Sequence, residues 1–163
     1  MTTPDLGDSG VFVVDDGDLG RIVALHFVRA GSQRIGILTT DETRGQELAQ
    51  EVFGAASGIW AISAAGDLTS PRDARRMVAE LSGAIGEADV VVDLPGGTEA
   101  GHIVREEMLT RGEGVVVEVG PRAGRDHRDG VTTCTVVAIP GSPAELADSL
   151  VTAVLNTQPP RDR

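Results

Sequence analysis

The chain has no tyrosine and no lysine. Mechanisms that need a phenol or a primary side-chain amine are therefore beyond its own residues, Schiff-base chemistry and a Walker-A lysine among them. It has one cysteine, Cys134. A single thiol forbids an internal disulfide and suits a reducing cytoplasmic setting. No apolar run approaches the ~20 residues that a membrane-spanning helix needs. The opening MTTPDLGDSG is acidic and polar, unlike a secretory signal. Clustered basic residues are also lacking, and the net charge is −11. Nucleic acid and anionic membrane are disfavoured as partners on that ground. The three histidines are scattered, which argues against a metal site. No nucleophile elbow accompanies any serine.

What is present fits one globular domain. The 163 residues are 40% apolar, enough for a core. Residues 10–156 are expected to form a single domain between flexible tails at 1–9 and 157–163. Apolar strand-length runs at 11–14, 34–39, 59–64, 88–92, 114–119 and 131–139 alternate with helical patterns at about 19–29, 43–53, 72–85, 99–110 and 144–155. Such alternation gives an α/β class with a doubly wound, mostly parallel, Rossmann-like sheet of about six strands. Asp41 suits the N-cap of the second helix, and Ser70 before Pro71 that of the third. Residues 120–130 read as a polar loop, so the helix expected between the fifth and sixth strands is missing. A parallel crossover usually takes a dozen or more residues. The sixth strand is nonetheless expected to run parallel to the fifth.

The turn after the first strand carries Asp15, Asp16 and Asp18. Glycines at such a turn let a diphosphate approach the helix N-terminus. Carboxylates there repel it, by up to about 4 kcal/mol for like charges ~4 Å apart at an effective dielectric near 20. The aspartates also suit the helix dipole and can serve simply as caps.

By its landmarks the chain resembles the short-chain dehydrogenase/reductase family over residues 10–156. Gly17-Asp18-Leu19-Gly20-Arg21 resembles the end of that family's glycine-rich turn. Asp67-Leu68-Thr69 resembles its acidic, adenine-contacting motif. Asp93-Leu94-Pro95-Gly96 stands where the family has Asn-Asn-Ala-Gly. Residues 117–124 match the strand that normally ends in the catalytic serine. Residues 137–141 resemble the turn near the nicotinamide, and Ser142-Pro143-Ala144-Glu145 the opening of the last helix. The resemblance implies a fold built for NAD(P). The family's Asn-Ser-Tyr-Lys tetrad, however, has no counterpart: Gly120 or Pro121 stands at the serine, Thr98 near the asparagine, and no phenol or amine exists.

In open α/β sheets ligands bind beyond the carboxyl ends of the strands. Asp93, Glu118, His127 and His102 are the candidate catalytic residues there. Two carboxylates in one crevice drive their pKa values apart, giving an acid and a base. His127 can titrate near neutrality. Glu118, inside a valine-rich strand, needs a partner such as an arginine if it is half-buried. His26 is expected to be structural and Cys134 a small buried residue. The expectation is a redox-inactive, cofactor-independent acid/base enzyme (an isomerase, cyclase or lyase acting on a small molecule) and not an NAD(P)-dependent oxidoreductase. A non-catalytic pseudoenzyme subunit or binding module is the alternative, and a third reading retains a nucleotide. A homodimer or a partner enzyme is the expected assembly.

Overall fold

Residues 10–14, GVFVV, form β1 (Gly10–Val14), buried at every position. Such a strand has both faces covered. A computed structural model describes residues 6, 9–15, 18–137 and 142–157. After β1 come α1 (Leu19–Arg29), β2 (Arg34–Thr39), α2 (Glu42–Phe53), β3 (Trp60–Ala65), α3 (Pro71–Ile85), β4 (Val90–Asp93) and α4 (Glu99–Arg111). The chain continues through β5 (Gly114–Gly120), β6 (Gly124–Arg128), β7 (Val131–Val137) and α5 (Pro143–Thr157). The fold is α/β and Rossmann-like, with a seven-stranded sheet in the order β3-β2-β1-β4-β5-β7-β6.

Alternating side chains of β1 divide the core in two. Val11 and Val13 join Val23, Phe27, Val52, Leu150 and Val154, so α1, α2 and α5 cover one face. Phe12 and Val14 join Met77, Leu81, Val104 and Met108, so α3 and α4 cover the other. The caps form as the sequence predicts: Asp41 accepts from the Arg44 amide and Ser70 from the Asp73 amide. Leu6 lies within the expected N-terminal tail, yet it is fully buried and its amide donates to the Ala30 carbonyl at 3.2 Å.

The sheet has one strand more than the sequence reading gave. The presumed loop 120–130 contains β6, which pairs antiparallel with β7 through Arg128↔Val131 to Gly124↔Thr135. Asp129 (φ 52°) and Gly130 (φ 83°) join them. Positive φ at both residues of a two-residue turn suits the twist of a hairpin. β7 meanwhile runs parallel to β5, from Gly114↔Val131 to Gly120↔Val137, as expected of that strand. The missing crossover helix is thus replaced by β6. It carries the chain back down the sheet outside β7, and β7 rises between it and β5. The expected turn at 138–141 and the far ends of both tails lie outside the described residues.

Candidate functional site

The strand order reverses between β1 and β4, and there an open sheet forms its crevice. β4 ends on an aspartate and β1 is followed by one, each turned over the helix that comes next. Asp15 Oδ2 accepts from the Gly20 amide at 2.5 Å, in the first turn of α1. A side chain on Gly20 would meet that carboxylate. Asp93 is 2% exposed. Its carboxylate accepts from the Gly96 amide at 3.1 Å and from the Thr98 amide and hydroxyl at 3.0 Å each. Thr98 in turn caps α4 by accepting from the Gly101 amide at 3.1 Å. A side chain at Gly101 would collide with Asp93 Oδ2. The position at which a helix N-terminus receives an anion is therefore filled on α1 by a carboxylate of the chain, while on α4 the Thr98 hydroxyl takes the Gly101 amide and Asp93 the amides just before the helix.

Glu118 stands opposite Asp93 in the β4–β5 register. The two residues meet at equivalent heights on neighbouring strands, as their spacing predicts. Glu118 is half-buried, but no arginine pairs with it among the described residues. His127 is not brought to them. It lies on exposed β6 opposite Thr132, whose hydroxyl is 2.8 Å from Nδ1. That is the amino end of β7, the end of the sheet remote from the crevice. The hairpin is the reason: β6 runs away from the crevice, so each residue after Gly124 descends. His102 is exposed on α4, its backbone amide donating to the Thr98 carbonyl. His26 is structural, as expected, its Nδ1 2.8 Å from the Ile22 carbonyl and its Nε2 3.3 Å from Asp148. Cys134 is buried. Asp67 is held below the usual carboxylate range by the Thr69 hydroxyl and then by the Thr69 amide.

A concavity lies to one side of Asp93. A cleft of about 470 Å³ opens at the carboxyl ends of β1 and β2, between α1 and α2. Val13, Ile37 and Leu48 line its floor, and Thr39, Thr40 and Asp41 its β2 rim. Two ion pairs join the helices at its mouth. Arg21 on α1 holds Glu51 on α2 through Nε at 2.8 Å and Nη2 at 2.5 Å. Arg44 on α2 holds Asp18, at the N-cap of α1, at 2.5 Å. Hydrogen bonding between Arg21 and Glu51 raises the first and lowers the second from their ordinary values. Five acids (Asp15, Asp18, Asp41, Glu47 and Glu51) line the cleft against two arginines, Arg21 and Arg44. Both arginines are already paired. Asp41 Oδ1 accepts from the Arg44 amide at 3.1 Å, and Oδ2 has no partner among the described residues.

Sequence reading assigned Asp41 only a capping role. A signal for more was there: it follows Gly20 by about 20 residues, the separation at which dinucleotide-binding folds place an acid for a ribose diol.

The structure resembles known proteins, although no protein-family model and no curated protein sequence matches the chain. A metagenomic short-chain oxidoreductase in complex with NADP is similar over 94% of this chain and 93% of its own, at 20% identity and TM-score 0.68. Hydroxysteroid dehydrogenase from Escherichia coli is similar over 73% of this chain, at 17% identity and TM-score 0.59. The chain spans 58% of that protein's length. A 3-ketoacyl-(acyl-carrier-protein) reductase from Brucella melitensis complexed with NADH is similar over 71% of this chain and 58% of its own, at 18% identity and TM-score 0.55. The chain has a short-chain dehydrogenase/reductase-like fold.

These likenesses correct the functional expectation. Their named activities are those of dehydrogenases and reductases, two of them holding a nicotinamide cofactor. They speak against the expectation of a cofactor-independent isomerase, cyclase or lyase. They also overturn the exclusion of an NAD(P)-dependent oxidoreductase. The expectation erred by weighing the missing tetrad and the aspartate-rich turn, both readable along the chain. The cleft beside that turn is assembled from β1, β2, α1 and α2 and is not readable that way. No helix among the described residues is long and apolar enough to cross a membrane.

Proposed function

We propose that this chain is a nucleotide-binding protein of the oxidoreductase class, and that it takes the adenosine end of NAD(H) in the cleft between β1, β2, α1 and α2. Asp41 carries the reading. Its free carboxylate oxygen stands at the end of β2, beside the Thr39 and Thr40 rim of an apolar-floored cleft. An anionic acceptor in that place suits the two hydroxyls of an adenosine ribose. The likeness to an NADP complex over nearly the whole length of both chains supports the same ligand class.

The two ends of a dinucleotide fit this site differently. The nucleoside end meets an acceptor and an apolar floor. The diphosphate end meets Asp15, which already holds the Gly20 amide, so Asp15 has to leave that amide before a phosphate can take it. A 2′-phosphate fares worse than a diol, because both cleft arginines are engaged with acids of the chain. The ligand is therefore NAD(H) in preference to NADP(H). When bound, the dinucleotide supplies hydride transfer. The chain supplies no phenol and no ammonium, so the proton that accompanies a hydride comes from a donor other than the family's Tyr-Lys pair. The Asp93 carboxylate serves to hold the turn at Gly96 and Thr98, and Glu118, half-buried beside it, is the acid/base candidate. Residues 10–156 act as one domain in this reading, and buried, unpaired Cys134 suits a reducing cytoplasm.

The test is an amide chemical-shift titration with adenosine, NADH and NADPH. Shifts at Gly20, Thr40, Asp41 and Gly45 are expected with adenosine and NADH. Asp15→Asn should strengthen NADH binding while leaving adenosine unchanged. Shifts confined to other surfaces, or none with any of the three, would remove the cleft from consideration.

A further inference from the structure

The two edges of the sheet are built differently. One edge is β6, whose sequence GRDHR is exposed at every position and carries four ionisable side chains. Charge at an edge is a usual guard against pairing with another chain. The other edge is β3, WAISAA, and it has no such guard. No charged residue or proline occurs anywhere in 54–66. Trp60, which begins the strand, is 66% exposed, and Phe53, just before the uncharged stretch, is 59% exposed.

The backbone bonds of β3 alternate. The Trp60 amide donates to the Gln33 carbonyl and the Gly66 amide to the Thr39 carbonyl. Trp60, Ile62 and Ala64 thus turn their backbone groups toward β2, and Ala61, Ser63 and Ala65 turn theirs outward. The outward carbonyl of Ala65 is occupied, accepting from Arg76 Nη2 at 2.8 Å. No described residue bonds the outward amides and carbonyls of Ala61 and Ser63. Those groups form a short pairing edge whose own residues carry no charge.

We propose that β3 pairs antiparallel with β3 of a second copy of this chain, about a two-fold axis at Ile62. In that register Ala61 faces the partner's Ser63 and exchanges two hydrogen bonds with it. The symmetric exchange adds two more, so the backbone groups that lack partners are all used. The Ala65 carbonyl stays with Arg76. A register one residue further along, centred on Ser63, would set Ala61 against the partner's Ala65 and displace Arg76. Ile62 meets its symmetry mate across a non-hydrogen-bonded pair, where side chains come closest. Trp60 then covers the partner's Ala64 on the same face of the sheet. The free groups select a second copy: Ala61 and Ser63 flank Ile62 symmetrically, so the edge is complementary to itself about a two-fold, as an isologous contact requires.

Sedimentation equilibrium on the full chain tests the state, with a mass of twice 16.9 kDa expected. Trp60→Glu adds like charge at the edge without touching the core, and should give a monomer whose circular dichroism and melting are unchanged. Disulfide trapping tests the register. Opposed residues of a non-hydrogen-bonded pair lie within the Cα separation a disulfide spans, so Ile62→Cys should cross-link two chains under mild oxidation. Ala61→Cys and Ser63→Cys, each two residues out of register with its own copy, should not. A monomeric parent chain, a Trp60→Glu dimer as strong as the parent, or equal cross-linking at all three positions would overturn the proposal.

Discussion

Two glycines illustrate how individual residues hold the crevice. Alanine usually stabilises a helix relative to glycine, by ~0.5–1 kcal/mol. Gly83 lies exposed in α3, with nothing within 4 Å of an added Cβ. Gly83→Ala should therefore raise the melting temperature. Gly101 lies in α4 under the Asp93 carboxylate, and Gly101→Ala should lower it despite the same gain in propensity. To admit the methyl group, Asp93 must give up bonds to Thr98, and hydrogen bonds to a charged group are worth ~1.5–3 kcal/mol each. Paired thermal melts of the two variants check the opposite signs. Asp93 and Glu118 were legible as neighbours because a period-2 pattern fixes the height of a strand residue. The crowding of Asp93 onto α4 was not legible, since it depends on how far that helix tilts over the strand end. Asp41 lay between these cases. Its cap was plain from its place before a helix, but its free second oxygen is visible only once the cap geometry is known.

At the scale of elements, β6 is where sequence reading and structure part. GRDHR has no apolar alternation, because neither of its faces is covered, so periodicity could not find it. The Asp129-Gly130 pair was the available signal, since such a pair between strands marks a tight hairpin. Gly130 is held at φ 83° with its Cα side against the Gly112 backbone. Gly130→Ala should cost at least the ~1–2 kcal/mol of a left-handed residue with a side chain, and the contact with Gly112 adds to it. Hydrogen exchange should show β6 and β7 amides losing protection before those of β1. The α1–α2 ion pairs act on the other side of the sheet. Hydrogen bonding to Arg21 lowers Glu51 below its ordinary 4.5. A depressed carboxylate contributes stability above its unfolded pKa and loses it as pH falls through the folded one. Glu51→Gln should thus melt below the parent at neutral pH. The gap should close in acid below pH 4.5, and salt should narrow it because the pair is exposed. A gap independent of pH would show that Glu51 acts by packing.

For the whole molecule, alternating strands and helices made the doubly wound fold legible, and ordered landmarks made its dehydrogenase likeness legible. Function was less so. The lack of tyrosine and lysine is a property of the chain, whereas the cleft is a property of four elements brought together. The net charge of −11 acts on both. It discourages anionic ligands everywhere, and under the proposed function the distribution of charge inside the cleft would decide which cofactor enters. Five acids and two engaged arginines leave room for a diol and oppose a 2′-phosphate. At ~4 Å and an effective dielectric near 20, one uncompensated like-charge contact approaches 4 kcal/mol, so a preference of ~10-fold or more is a modest expectation. Calorimetric titration of the chain with NADH and with NADPH in the same low-salt buffer measures it directly. NADH is expected to bind at least ~10-fold more tightly, with the preference reduced in Asp41→Ala through loss of NADH affinity. Equal affinities, tighter binding of NADPH, or no heat with either cofactor would contradict it.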